Sequence, residues 1–252
     1  MHYPVTRLAA AVATAAMGLA ALTAASASAT TPSFDRCPRA TPGLVGCVDV
    51  HATGGSIAAN THRLPLAGAG LRIEGGLDAD LAFVPPASGS ALTAKPVDVP
   101  GGLFGTDLPY NLNAVKATVE QVGPIAYDYF SSTVTARVRI RFSNPLLGSN
   151  CAIGSAAAPV TLTLGTGTTA PPAPNAPISG TLGTLESVPG TVLAIEGQVQ
   201  VDNAFAVPAA TGCGIVAQTQ VTKAINKNLG LPSAAGHYND ATLTLDHYIA
   251  SA

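Results

Sequence analysis

The chain has 252 residues, with 12 Lys and Arg against 14 Asp and Glu, a formal net charge of −2 and only 10% charged side chains. That balance gives no electrostatic reason to bind nucleic acid or an anionic membrane surface. A 47% hydrophobic content argues against disorder despite 26 Gly and 20 Pro, and the lack of Trp leaves few stacking platforms for carbohydrate.

Arg7, the small-apolar run "LAAAVATAAMGLAALTAA" and the A-x-A exit Ala27-Ser28-Ala29 predict a signal peptide over 1–29, cleaved before Thr30. The alternative is a retained membrane anchor, because the run is near the length of a span. Loss of Arg7 leaves 11 basic against 14 acidic residues, a formal charge of −3. No later segment approaches a membrane span in length, so no stable membrane insertion is expected after cleavage. Residues 30–252 are read as one secreted, β-rich domain.

Strand follows strand along that domain. "GCVDVHATG" (46–54) places Val48, Val50 and Ala52 opposite Asp49 and His51. In "GLRIEGGLDADLAFV" (70–84) the Gly75-Gly76 pair predicts a hairpin turn between two strands. "SALTAKPVDVPGG" (90–102) is broken by Pro96 and reads as an edge strand. "NLNAVKATVEQVG" (111–123) has a mixed period compatible with strand or helix. The clearest strand is "TVTARVRIRF" (133–142). Val134, Ala136, Val138, Ile140 and Phe142 share one face; Arg137, Arg139 and Arg141 share the other with two threonines. One buried face implies an antiparallel sheet.

"APVTLTLGTG" (158–167) alternates again, and "TTAPPAPNAP" (168–177) predicts an extended, exposed connection. Two further strand-like stretches, 178–188 and 191–207, are joined by Pro189-Gly190. Between Ile215 and Leu229 no Gly or Pro occurs, and Ala217, Val221, Ala224, Ile225 and Leu229 form a helical stripe. Gly230 and Pro232 then supply a stop. Finally, "NDATLTLDHYIA" (239–250) aligns Ala241, Leu243, Leu245, His247 and Ile249 on one face. The fold expected is an all-β antiparallel sandwich with one short helix near the C-terminus, with a closed β-barrel as the alternative.

Four cysteines in an exported chain predict two disulfides with three conceivable connectivities. Cys37 and Cys47 bracket the turn-rich "PRATPGLVG", which leaves Cys151 to pair with Cys213 and tie helix to sheet. A zinc site would need C-x₂₋₄-C pairs, which the chain lacks.

The motifs of nucleophilic and metal chemistry are missing. There is no G-x-S-x-G and no H-E-x-x-H, and His51, His62, His237 and His247 stand in no motif. No catalytic residue, metal ligand or cofactor is therefore assigned. Asp78 and Asp80 lack the Gly and Glu of a calcium loop and read as an exposed strand or turn. Arg137, Arg139 and Arg141, at about 7 Å spacing, form a candidate anion-binding row. The competing reading is a solvated face paired by acids on neighbouring strands.

"CP" (37–38), "GCV" (46–48), "CAIG" (151–154), "GTTAPPAPNAPISG" (167–180), "VDNAFAVPAATGCG" (201–214) and "LGLP" (229–232) together resemble uncharacterised secreted proteins of actinomycete bacteria, from about Cys37 to the end. The resemblance implies an exported, cysteine-containing protein and carries no activity. The function expected is that of an exported, non-enzymatic structural or binding protein, extracellular or loosely associated with the cell envelope. Its partner would be a cell-wall component or an apolar small molecule. Two alternatives remain open. One is an extracellular hydrolase assembled in space around His51 or His62; the other is an adhesin-like surface protein.

Overall fold

In the computed structural model, residues 31–105 and 112–252 are described; the expected signal peptide lies outside them. The strands in chain order are β1 (Leu44–Ala59), β2 (His62–Pro65), β3 (Arg72–Asp78), β4 (Phe83–Val84), β5 (Leu92–Thr93), β6 (Val97–Asp98) and β7 (Lys116–Asp128). They continue with β8 (Thr133–Ser143), β9 (Ala152–Ile153), β10 (Val160–Leu164), β11 (Thr184–Leu185), β12 (Leu193–Asp202) and β13 (Ala210–Thr211). Helix α1 (Gln218–Leu229) and β14 (Asp240–Ser251) complete the chain.

Two antiparallel sheets form a sandwich. The first has the order β11-β12-β14-β1-β3-β4, with β2 and β5 attached to β1 and β3; the second runs β13-β9-β8-β7-β6, with β10 on β8. Long β1 serves two partners along one edge. Its first half pairs with β3 from Leu44 to His51, its last four residues pair with β2, and β14 covers the other edge throughout. The inner faces supply one core: Val48, Val50, Leu243, Leu245 and Ile249 from the first sheet, Val119, Val134, Val138, Ile140 and Leu162 from the second. The alternation read for β8 and β14 follows from facing this core on one side only.

Two local expectations are revised, and one left open is decided. Gly75 and Gly76 sit inside β3 and not in a turn. A Cβ on Gly75 would lie 2.5 Å from the Phe83 ring, and one on Gly76 2.5 Å from Leu44, so both glycines make room for neighbouring side chains. The reversal comes later, where Asp78 Oδ1 accepts the N–H groups of Asp80 and Ala82, both at 2.9 Å. The 90–102 segment is two strands: β5 belongs to the first sheet and β6 to the second, with the chain crossing over at Lys95-Pro96. Residues 116–128 are strand, not helix, with a bulge between Gln121 and Ile125.

Both disulfides form with the expected pairing, Cys37–Cys47 and Cys151–Cys213, with no free cysteine among the described residues. The first pins residues 33–37 to β1. The second joins the segment entering β9 to the segment leaving β13, and Thr222 of α1 hydrogen-bonds the N–H and carbonyl of Cys213. Cys213 therefore fastens the helix to the second sheet. Chain-entropy reasoning gives about 3 kcal/mol for the short closure and about 4 for the long one. Two disulfides fit an oxidising, extracellular environment. Among the described residues no helix is long and apolar enough to cross a membrane.

Candidate functional site

The site begins at the turn between β1 and β2. Asn60 occupies the left-handed region (φ 53°), which Asn tolerates better than most residues, so Ala59 and His62 can pair across a two-residue reversal. The Asn60 side chain donates to the carbonyls of Leu229 and Gly230, each at 2.9 Å, and His62 Nε2 lies 3.0 Å from the carbonyl of Asn228. The hairpin thus caps the C-terminal end of α1, whose last carbonyls have no partner within the helix. Asn226 fixes the helix from another side by bonding both backbone groups of Ala210.

Held this way, α1 leans over one end of the sandwich without filling it. Val221, Ile225 and Leu229, three members of the predicted stripe, are only half-buried; Ala224 is exposed, and Ala217 precedes the helix in a left-handed conformation (φ 49°). Beneath Ile225 and Leu229 lies a cavity of about 710 Å³. Its described walls are aliphatic: Ile57 and Leu64 from the hairpin, Val115, Ile140 and Ile153 from the second sheet or its margins, Leu103 from a single 3-10 turn (Gly102–Phe104) and Leu147 from a loop. Phe142, expected in the packed core, is half-buried because it faces this space. Among the described residues the four polar lining ones, Thr61, His62, Arg63 and Asn228, cluster at the hairpin–helix junction. Arg63 is held there by Asp240, with Nη2 to Oδ1 at 2.6 Å and Nη1 to Oδ2 at 3.1 Å, and by Ser56 Oγ.

The remaining candidate residues fall elsewhere. Arg139 and Arg141 both pair with Glu120 of β7, at 2.7 and 2.6 Å, while Arg137 lies across Gly123. One carboxylate therefore serves two guanidiniums on the outer face of the second sheet, and the row keeps a net positive charge. His237 Nδ1 contacts Asn60 Oδ1 at 2.6 Å. His247 is buried between the sheets, near Tyr127 (3.4 Å) and Gln200 (3.3 Å). Burial pushes its pKa down to about 4 and that of Tyr127 up to about 12.

His51 lies on the outer face of the first sheet, 4% exposed, with Nε2 2.8 Å from Asp49 Oδ2. Asp49 also accepts both Nε and Nη2 of Arg72 and the N–H of Ser33. Burial would raise the Asp49 carboxyl, but the hydrogen bonds from Arg72 and His51 outweigh it and hold it below its usual range. Arg36 reaches over to Glu74, and the Tyr248 hydroxyl donates to Glu196 at 2.8 Å. Burial, followed by the bond to Glu196, raises the Tyr248 phenol, and burial raises Asp246. A hydrolytic site assembled around His51 or His62 would bring the histidine, a carboxylate and a hydroxyl together in an accessible cleft. Here they are divided: His51 has the carboxylate but is buried, while His62 faces the cavity and bonds a carbonyl.

The alternation of β1 marked Asp49 and His51 as polar and outward. That residues 33–36 cover them was not legible in that pattern. The cavity was missed altogether, since no single stretch carries it; the nearest signal was the Asn60-Thr61 turn preceding His62. Comparison with protein-family models, with curated proteins and with solved structures returns no match.

Proposed function

We propose that this is an exported, non-catalytic binding protein that holds an apolar small molecule in the cavity beneath α1. The observation that carries the proposal is the cavity itself: about 710 Å³, walled by aliphatic side chains, with its polar groups gathered at one end. Small-molecule sites have volumes of roughly 300–1,000 Å³ with this arrangement of apolar walls and a few placed polar groups. Export is supported by the two disulfides and by the signal-like sequence of residues 1–29. Titration with N-phenyl-1-naphthylamine, a neutral apolar dye, tests the site. Saturable, one-to-one fluorescence enhancement is expected, and Ile225→Trp, which places an indole in the cavity, should weaken it at least tenfold. Enhancement that does not saturate, or that Ile225→Trp leaves intact, would count against this site.

A second reading, surface adhesion, is favoured by one observation. Leu182, Leu185 and Val192 are 80%, 74% and 69% exposed around edge strand β11 and the turn leading into β12. Such a group of apolar side chains suits a contact surface.

A further inference from the structure

We infer that Tyr238 is the stacking platform of a second binding site, separate from the cavity, which takes a neutral saccharide ring of gluco configuration. Among the described residues, five other than glycine hold a positive φ: Asn60, Leu81, Ser132, Ala217 and Tyr238. Four of them return something to the fold. Asn60 caps α1 with its side chain, and Leu81 packs against the core. Ser132 is buried and gives its carbonyl to Gln200; Ala217 accepts the N–H groups of Gln220 and Val221 where α1 begins. Tyr238 differs. At φ 58° it is 58% exposed, it is not among the side chains packed on the core, and the aromatic ring beside it is that of its neighbour His237. A bulky residue is an outlier in this region, and glycine would meet the same backbone requirement without strain. The strain is borne by a ring turned to solvent, which points to a contact outside the fold.

The backbone that carries the ring is held in place. Tyr238 N–H donates to Asn175 Oδ1 at 2.7 Å, and Asn175 Nδ2 donates to the carbonyls of Asn203 and Asn239 at 2.8 and 3.1 Å. The His237 ring meets Tyr238 edge-on, with centroids 5.6 Å apart, and its Nδ1 lies 2.6 Å from Asn60 Oδ1. Asn60 uses its amide nitrogen on two helix carbonyls, so its oxygen is the acceptor and His237 Nδ1 carries the proton. In the neutral imidazole Nε2 is then an acceptor. The pair thus offers an aromatic face, a phenolic hydroxyl and an imidazole acceptor, on two exposed residues. A ligand matched to it has a C–H face and a rim of hydroxyls. A pyranose with equatorial hydroxyls has both, because its axial C–H bonds are what a ring face can stack on. A cation is also drawn to an aromatic face, but the nearest acid along the chain, Asp240, is already paired with Arg63. The neutral ligand is favoured.

The experiment titrates the protein with cellotriose, a β-linked glucose trimer, and follows the backbone amides by NMR at neutral pH. Saturable shifts are expected at Gly236, His237, Tyr238 and Asn239, and at Asn60 and Asn175, with a dissociation constant in the millimolar range. Tyr238→Phe should keep the affinity within about threefold, since the stacking face remains. Tyr238→Gly should weaken binding at least about tenfold while the melting temperature stays level or rises, because the left-handed strain is gone. A melting temperature lowered by Tyr238→Gly would mean that the ring serves the fold, and would overturn the proposal. So would the absence of shifts at about 10 mM cellotriose, shifts that survive Tyr238→Gly, or binding of tetramethylammonium in place of cellotriose.

Discussion

Two regions of this molecule bury what sequence patterns would leave in water or fill with packing, and they do so in opposite ways. On the outer face of the first sheet, Asp49, His51, Arg72 and Glu74 lie under residues 33–36, and the carboxylates are met by guanidinium, imidazole or backbone N–H. At the end under α1, aliphatic side chains surround space that the described residues do not fill. A buried ion network with its partners in place is a structural element that is costly to break. An apolar void forgoes packing contacts that a close-packed interior would make. The first region is consistent with holding the fold together, and the second with holding something else.

The largest effect should come from cutting the network. Arg72→Met leaves the buried Asp49 carboxylate without its bidentate partner, and urea unfolding should show a loss of about 3–5 kcal/mol. A loss below about 1 kcal/mol would mean that Asp49 is solvated and the contrast drawn above is false.

Next in size is a pH effect that belongs to neither region. His247 has its pKa lowered from 6.5 to about 4 by burial. The unfolded chain therefore binds this proton more readily, so stability is complete above pH 6.5 and falls as pH drops toward and through 4. The loss is about 3 kcal/mol over that window. His247→Gln should flatten the slope between pH 6.5 and 4; an unaltered slope would assign it to other groups. Asp49, whose pKa is also depressed, adds a loss at still lower pH.

The smallest effects sharpen the contrast most. Ala136 is buried between Ile125 and Leu162 on the neighbouring strands, and Ala136→Leu should cost about 1–3 kcal/mol by overpacking. The same chemical change at Ala59, which lines the cavity, has space to enter and should shift stability by less than about 0.5 kcal/mol. Equal costs at the two positions would indicate that the cavity closes in solution.

How far the sequence spoke for this structure depended on whether a feature is local. The alternation of 133–142 could be read directly because β8 buries one face along its whole length. Cys37 and Cys47 were readable as a pair because only a turn separates them. Gly75-Gly76 misled because glycine serves a tight turn and a close side-chain approach equally, and only the position of Phe83 decides between them. The arginine row was legible as a row, whereas its shared partner Glu120 depends on the register of β7 against β8. The covered ion network and the cavity depend on segments far apart in the chain, so neither leaves a periodic trace.

The most direct measurement is native mass spectrometry of the protein recovered from its own host, followed by a spectrum after denaturation. A discrete excess mass in the native state, released on denaturation and identified as an apolar small molecule, is the result expected. A bare mass under gentle conditions, from protein that also fails to take up N-phenyl-1-naphthylamine, would contradict a ligand-holding role for the cavity.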